Sequence, residues 1–380
     1  MLLIMSERTF TAGGASWSAN RPMVVAEIGT GHGGDPAKAR DLVDAAREAG
    51  ADCAKFQIVY ADEILHPETG FVSLPGGPVR LYDRFRELEL PPDFYADMAS
   101  YCAKRGLLFL CSPFGLKSAR ELRGLAPAFI KVASPELNHF PLLAELASYN
   151  LPLVLSSGVS RIGDIERALE ATGAVAERIL LHCVTSYPAP ETDYNLRLLG
   201  RLSGVFGIPT GVSDHSLDPV LVPALAVSEG AAMIEKHICL SRNDPGLDDP
   251  VALPPDQFAA LCKAVREAAR RGPETTKEAL AKEYGAERTE AVLGDGIKRL
   301  APSERANYGR TNRSLHFTRD MREGETLTGA DVAVVRTEKV LNVGLAPEHL
   351  ADVLGARLTR NAKNGDGLSW EDFLSRPSPR

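Results

Sequence analysis

From Met23 onward, short apolar runs alternate with segments whose apolar residues recur at helical spacing. The runs Met23–Ile28, 51–59, 107–111, 128–132, 151–155, 178–183, 207–212 and 231–237 read as strands. The segments 36–49, 92–105, 117–125, 141–149, 162–172, 194–202, 219–229 and 255–271 read as helices. Eight strand–helix units in about 250 residues predict a (β/α)₈ barrel. A doubly wound open sheet is the competing arrangement. Gly29, Gly31 and Gly34 fit the G-x-G-x-x-G spacing after the first strand. That fingerprint also wants an acid at the end of the second strand, where this chain has Lys55 and Gln57, so the count of eight favours the barrel.

Around this alternation the pattern changes. Residues 1–21 precede the barrel, with Thr9–Thr11 and 15–17 flanking Gly13-Gly14 as a short capping hairpin. The barrel is expected over 22–273. The polar stretch 274–310 reads as a linker with some helix. Residues 311–375, with runs at 313–317 and 332–336 around the turn Arg322-Glu323-Gly324-Glu325, read as a small β-rich domain, and 376–380 as a frayed tail.

Side chains alternate along a strand, so parity sorts inward from outward residues. Lys55 and Gln57 share one face of the second strand, and Glu235 and His237 share one face of the eighth. Every strand ends on polar residues: Glu27, Ser112, Lys131 followed by Ser134, Ser156-Ser157, His182 followed by Thr185 and Tyr187, and Ser213-Asp214-His215. Barrel chemistry sits at these carboxyl ends. An ammonium group inside a barrel is costly unless paired, and one such lysine could be an internal ion pair. Lys55 and Lys131 together with Ser112, Ser134 and Ser213 point instead to an anion site suited to a phosphate and a carboxylate. His215 and His237 on neighbouring strand ends, beside Glu27 and Glu235 and without a thiolate, suit a Mn²⁺- or Mg²⁺-like ion with open positions. Asp214 fits either support of that ion or a helix cap. Pro245-Gly246-Leu247-Asp248 fits either a solvated turn or an Asp that holds substrate hydroxyls.

Composition limits the functions available. The 380 residues carry a net charge of -7, which excludes a broad basic nucleic-acid face. No apolar run approaches the roughly 20 residues of a membrane span, and Met1–Met5 is too short for a signal-peptide core. Six cysteines without a C-x-x-C pair predict reduced core thiols in a cytoplasmic protein.

The chain resembles the sialic acid synthase family, the phosphoenolpyruvate-condensing enzymes that make nonulosonic acids. The resemblance rests on Ala26-Glu27-Ile28-Gly29, Lys55-Phe56-Gln57, Ser112-Pro113-Phe114, Lys131-Val132-Ala133-Ser134, Ser156-Ser157-Gly158, Tyr187-Pro188, Ser213-Asp214-His215, Glu235-Lys236-His237, Gly294-Asp295-Gly296 and Arg313-Ser314-Leu315, in order over residues 22–372. It implies a barrel joined to an antifreeze-like SAF domain, in a homodimer whose small domains are exchanged. It implies His215 and His237 as ligands of Mn²⁺, with Mg²⁺ or Co²⁺ as alternatives. It implies Lys55, Ser112, Lys131, Ser134, Thr185 and Ser213 as the phosphoenolpyruvate site. Glu27, Lys55, Gln57 and Glu235 would be catalytic. Gln57, Gly77, Tyr187, Asp248 and a partner-donated Arg313 would meet the acceptor, an N-acyl aldose.

The departures from the family pattern gather on the acceptor side. Gly31 precedes His32 where Asn is usual, and Pro75-Gly76-Gly77 stands for Pro-Gly-Asn. Leu247 replaces a proline, Thr185 a Ser or Asn, and Pro135 a glycine. N-acetylmannosamine and legionaminate- or pseudaminate-type precursors therefore all stay open. Two other readings are a metal-dependent aldolase or isomerase, which would not need two anion-binding lysines, and a barrel that only binds carbohydrate.

Overall fold

The computed structural model describes residues 8–74 and 77–374; the side chains of residues 73 and 74 are also outside the description, as are Met1–Met5, Pro75, Gly76 and the tail 376–380. The hairpin expected at the start forms from Phe10–Ala12 and Ala15–Trp17. Eight parallel strands follow: Met23–Gly29, Cys53–Ile58, Leu108–Pro113, Ile130–Val132, Leu153–Ser156, Arg178–Cys183, Thr210–Asp214 and Met233–His237. Except between the third and fourth, each ladders to its neighbour in sequence, and the eighth pairs with the first, His237 opposite Glu27. The third and fourth lie side by side and close the ring.

Local chemistry sets several boundaries. The first long helix, Pro36–Ala49, starts where Asp35 accepts the Ala37 amide at 2.8 Å and Pro36 supplies a preset φ. It ends at Gly50, whose φ of 96° suits glycine. The helix expected over 194–202 instead runs Leu198–Phe206. Tyr194 is held by its carbonyl to His182 Nε2 (2.6 Å) and by its hydroxyl to the His215 amide (2.6 Å), so the chain turns there before the helix begins. Gly207 then caps that helix, and the seventh strand starts at Thr210.

The ring interior is layered. Met23, Val25, Cys53, Leu110, Phe129, Val154, Ile179, Leu181 and Met233 fill the amino-terminal end, and Phe10 and Trp17 of the hairpin plug it. The next inward positions toward the carboxyl end are Glu27, Lys55, Lys131, Ser156, Ser213 and Glu235. A dry apolar floor therefore lies directly beneath a polar rim.

The stretch expected as a linker is part of the barrel shell. Pro273–Tyr284 and Ala286–Leu293 are helices, and Leu280, Val292 and Leu293 join the main core. They cover Leu221–Ser228, a helix buried all round, which explains why that segment has no polar face. The small domain pairs Arg313–Phe317 with Val332–Arg336 and has its own core around Leu315, Phe317, Leu327 and Leu358. It rests on the long connection after the second strand: Val340 donates to the Thr69 carbonyl at 3.2 Å, and His66 meets Asn364 at 3.1 Å. Among the described residues no helix is long and apolar enough to cross a membrane.

Candidate active site

A cavity of about 240 Å³ opens at the carboxyl ends of the strands. Of the residues singled out from sequence, Glu27, Lys55, Gln57, Lys131, Ser134, Thr185, Tyr187, Ser213, His215, Glu235, His237 and Asp248 line it. The register explains the grouping. Glu27 stands opposite Lys55 on the neighbouring strand, and Ser213 opposite Glu235, so the parity rule brings acids, ammonium groups and hydroxyls to one level.

The charges are arranged as a chain. Lys55 Nζ lies 2.7 Å from Glu27 Oε2 and 3.4 Å from Glu235 Oε1. Lys131 Nζ lies 3.6 Å from the same Glu235 oxygen, to which Ser213 donates at 3.0 Å. Gln57 donates to Glu27 Oε1 at 2.6 Å. Burial alone would raise the Glu235 carboxyl, but Lys131 and Lys55 outweigh it and hold the group at about 2. Burial would lower Lys55, and Glu235 and Glu27 more than reverse this. Lys131 has less compensation, and burial leaves it below the ordinary lysine value. It is the cation most in need of a further anion. The Ser156 hydroxyl and Glu235 Oε2 in the lining, and the Ser112 hydroxyl beside it, are buried without a hydrogen-bond partner, so these strand ends hold unused capacity.

In the same cavity the His215 and His237 rings are neighbours, centroids 5.5 Å apart. Burial keeps both imidazoles neutral at ordinary pH. His215 Nδ1 lies 2.8 Å from the Val184 carbonyl, which makes Nδ1 the protonated nitrogen and leaves Nε2 with a lone pair. His237 Nδ1 stands 3.8 Å from Asp248, and the Tyr187 ring stacks on His215 at 4.2 Å. Among the described residues no three His, Cys, Asp or Glu side chains form a closed metal cage. Two neutral imidazoles fit a divalent ion whose other positions stay open to water or substrate oxygen.

Several residues fall elsewhere. Ser112 stands opposite Gln57 but is fully buried and does not line the cavity. Gly77 sits in the hairpin of Phe71–Leu74 and Gly77–Arg80 and does not line the cavity. His182 points outward to Tyr194. Asp214 does not cap the following helix, whose first amides go to Asp218; it binds Lys236 at 2.6 Å on the outer face and accepts the Ser216 amide at 2.8 Å.

Arg313 requires a correction. It does not reach the cavity; its side chain is fully buried against Glu136 of the same chain, with Nη2 2.7 Å from Oε1 and 2.8 Å from the Phe114 carbonyl. The small domain sits on its own barrel here, and Glu136 claims the guanidinium. Its cross-strand neighbour Arg336 lines the cavity instead, 2.9 Å from the same Glu136 oxygen, with Nε unpartnered. Sequence reasoning missed Arg336. The pairing of the two predicted strands, 313–317 with 332–336, was the signal that set both arginines on one face. It also missed the apolar mouth formed by Phe85, Leu88, Phe114 and Leu247.

Fold and site together define a (β/α)₈ barrel whose rim carries two buried lysines and two imidazoles beneath a small β-rich domain. The NeuB family profile matches residues 42–276 and the SAF domain profile residues 312–374. The chain belongs to the NeuB family. It is 31% identical over 361 residues to the spore coat polysaccharide biosynthesis protein SpsE of Bacillus subtilis, covering 94% of each chain. It is 30% identical over 359 residues to the N,N'-diacetyllegionaminic acid synthase of Legionella pneumophila, covering 92% of this chain and 93% of that one. The crystal structure of SpsE superimposes with a TM-score of 0.81 at 29% identity, over 97% of this chain and 100% of that chain. That of the sialic acid synthetase of Leptospira borgpetersenii gives 0.64 at 27% identity, over 79% and 95%. With relatives that are acid synthases, the protein is a condensing enzyme of the transferase type.

Proposed function

We propose that the protein condenses phosphoenolpyruvate with the open-chain form of an N-acyl aldose and water, giving a nonulosonic acid and phosphate. The observation that carries this reading is the joining, in one cavity, of two buried ammonium groups with unused hydroxyl capacity and two neutral imidazoles. An aldolase or isomerase has no use for the second ammonium. The names of relatives, synthases of legionaminic, pseudaminic and sialic acids, support the same class of reaction.

Lys55 and Lys131 would balance phosphate and carboxylate, with Ser112, Ser134, Thr185 and Ser213 as hydrogen-bond partners. The methylene carbon of phosphoenolpyruvate attacks the aldehyde carbon, the cationic C2 takes up water, and phosphate leaves with its bridging oxygen. A divalent ion on His215 and His237, Mn²⁺ in the first instance, would polarise the aldehyde oxygen. Glu27, held between Lys55 and Gln57, would move a proton at that oxygen or at the incoming water. Glu235 stays ionised and fixes the spacing of the two lysines. Gln57, Tyr187, Asp248 and Arg336 would meet the acceptor. N-acetylmannosamine and precursors of the legionaminate or pseudaminate type are the candidate acceptors.

The test is phosphate release from phosphoenolpyruvate by metal-stripped protein with Mn²⁺ returned, across a panel of N-acyl aldoses, with mass spectrometry of the product. No release with any aldose would reject the reading. We also propose an exchanged homodimer, in which the Arg313–Glu136 contact would form between chains; a monomer in light scattering would refute it.

A further inference from the structure

Val159 has a backbone that a β-branched residue rarely adopts. Its φ is 43° and its side chain is fully buried. In the left-handed region Cβ crowds the backbone carbonyl oxygen, so this conformation persists only where its surroundings enforce it. Two side chains do so, one from the segment before the small domain and one from its first residues. Glu304 Oε1 accepts the Val159 amide at 2.7 Å, and Asn312 Nδ2 donates to the Val159 carbonyl at 3.1 Å. The same Glu304 oxygen accepts the Thr185 amide at 2.7 Å. One carboxylate, 1% exposed, therefore ties the loop after the fifth strand to the loop after the sixth.

The strain lies next to the cavity. Gly158, immediately before Val159, donates its amide to Ser134 Oγ at 3.0 Å. A Cβ at Gly158 would collide with Thr185 Oγ1 and come within 2.8 Å of Ser134 Oγ. Ser134 and Thr185 line the cavity, whereas Glu304 and Asn312 do not. Asn312 is anchored by the Gly309 amide at 2.8 Å and is followed by Arg313, locked to Glu136. The clamp is thus fastened to the same chain segment that docks the small domain.

We propose that Glu304 and Asn312 are positioning residues for the phosphoenolpyruvate half of the site. They hold Val159 left-handed, and this sets the spacing of Ser134, Gly158 and Thr185 around the donor's anionic oxygens. The inference rests on the phosphoenolpyruvate reading above. Glycine adopts a left-handed φ without penalty, so Val159→Gly should make the clamp less necessary.

The test is calorimetric binding of phosphoenolpyruvate and, separately, of Mn²⁺ to the full-length wild type, Glu304→Gln, Asn312→Ala, Val159→Gly and the Val159→Gly/Glu304→Gln double variant. Glu304→Gln and Asn312→Ala should each weaken phosphoenolpyruvate about tenfold while leaving Mn²⁺ affinity unchanged. Val159→Gly should bind close to wild type, and the double variant should recover most of the Glu304→Gln loss. Unchanged phosphoenolpyruvate affinity in both clamp variants, parallel loss of donor and metal binding, or no recovery in the double variant would overturn the inference. Wild-type protein that fails to bind phosphoenolpyruvate overturns the functional reading and the inference with it; wild-type binding with unaffected variants overturns the inference alone.

Discussion

Replacing Arg313 and Arg336 separately by methionine should divide stability from acceptor binding. Arg313 donates twice to Glu136, at 2.7 and 3.1 Å, once to the Phe114 carbonyl at 2.8 Å, and through Nη1 to the carbonyls of Glu63, Ile64 and Val334. Breaking a buried ion pair from one side costs about 3–5 kcal/mol. Arg336 still holds Glu136 at 2.9 Å, so the lower end, about 3 kcal/mol, applies. The abandoned carbonyls, of which the Phe114 carbonyl is fully buried, add at least about 1 kcal/mol. Together these predict a fall in Tm of roughly 10 °C for Arg313→Met, at about 2–4 °C per kcal/mol for a cooperative unit the size of the barrel. Arg336 makes one such bond from a partly exposed position, so Arg336→Met should cost about 1 kcal/mol of stability. Its acceptor KM, however, should rise roughly tenfold, the equivalent of about 1.4 kcal/mol. Scanning calorimetry with steady-state kinetics on both variants checks this. An Arg313→Met protein that melts within about 3 °C of wild type, or that loses acceptor affinity more than Arg336→Met does, would refute the reasoning.

Three other outcomes are expected. Gly158→Ala drives a methyl group onto Thr185 and Ser134 and should raise the KM for phosphoenolpyruvate at least tenfold, about 1.4 kcal/mol within the usual cost of overpacking, with the acceptor KM little changed. Burial lowers the Lys131 pKa, so its ammonium is lost at lower pH than a free lysine's; kcat/KM for phosphoenolpyruvate should fall on an alkaline limb that sets in before a free lysine would titrate, while kcat, measured with the anion bound, holds further up. A flat kcat/KM profile through that range would contradict the assignment of Lys131 to the donor. His215→Ala should abolish Mn²⁺ binding by calorimetry and leave phosphoenolpyruvate binding within about threefold, because His215 bonds to the Val184 carbonyl and stacks on Tyr187, whereas Lys55 and Lys131 are held by Glu27 and Glu235.

The strand–helix alternation was readable because each element carries its own signal. Period-two and period-3.6 apolar spacing, Asp35-Pro36 at a helix start and Gly50 at its end are local facts. Inward parity at Glu27, Lys55, Gln57, Glu235 and His237 followed from alternation alone. The misplaced boundary at 194–202 has the opposite origin. Tyr194 looks like a helix residue, but the His182 ring and the His215 amide hold it in a turn, and neither partner is near in sequence. The segment 273–293 looked like a linker because its exposed face is highly charged. Its apolar residues Leu280, Val292 and Leu293 matter only once a neighbouring helix offers them a surface.

The sequence by itself therefore determined the barrel, the small domain and the ring of polar strand ends, because hydrophobic period and side-chain alternation are short-range consequences of backbone geometry. Only the tertiary structure decided which arginine meets the cavity and what holds Val159 in its disfavoured conformation. Arg313 and Arg336 are chemically identical and share one face; the position of Glu136, far away in the chain, is what buries the first and leaves the second at the mouth. His215 and His237, equal as sequence marks, likewise took on their common side of the cavity only when two adjacent parallel strands brought their rings to 5.5 Å. Such choices rest on long-range contacts, which no local pattern encodes.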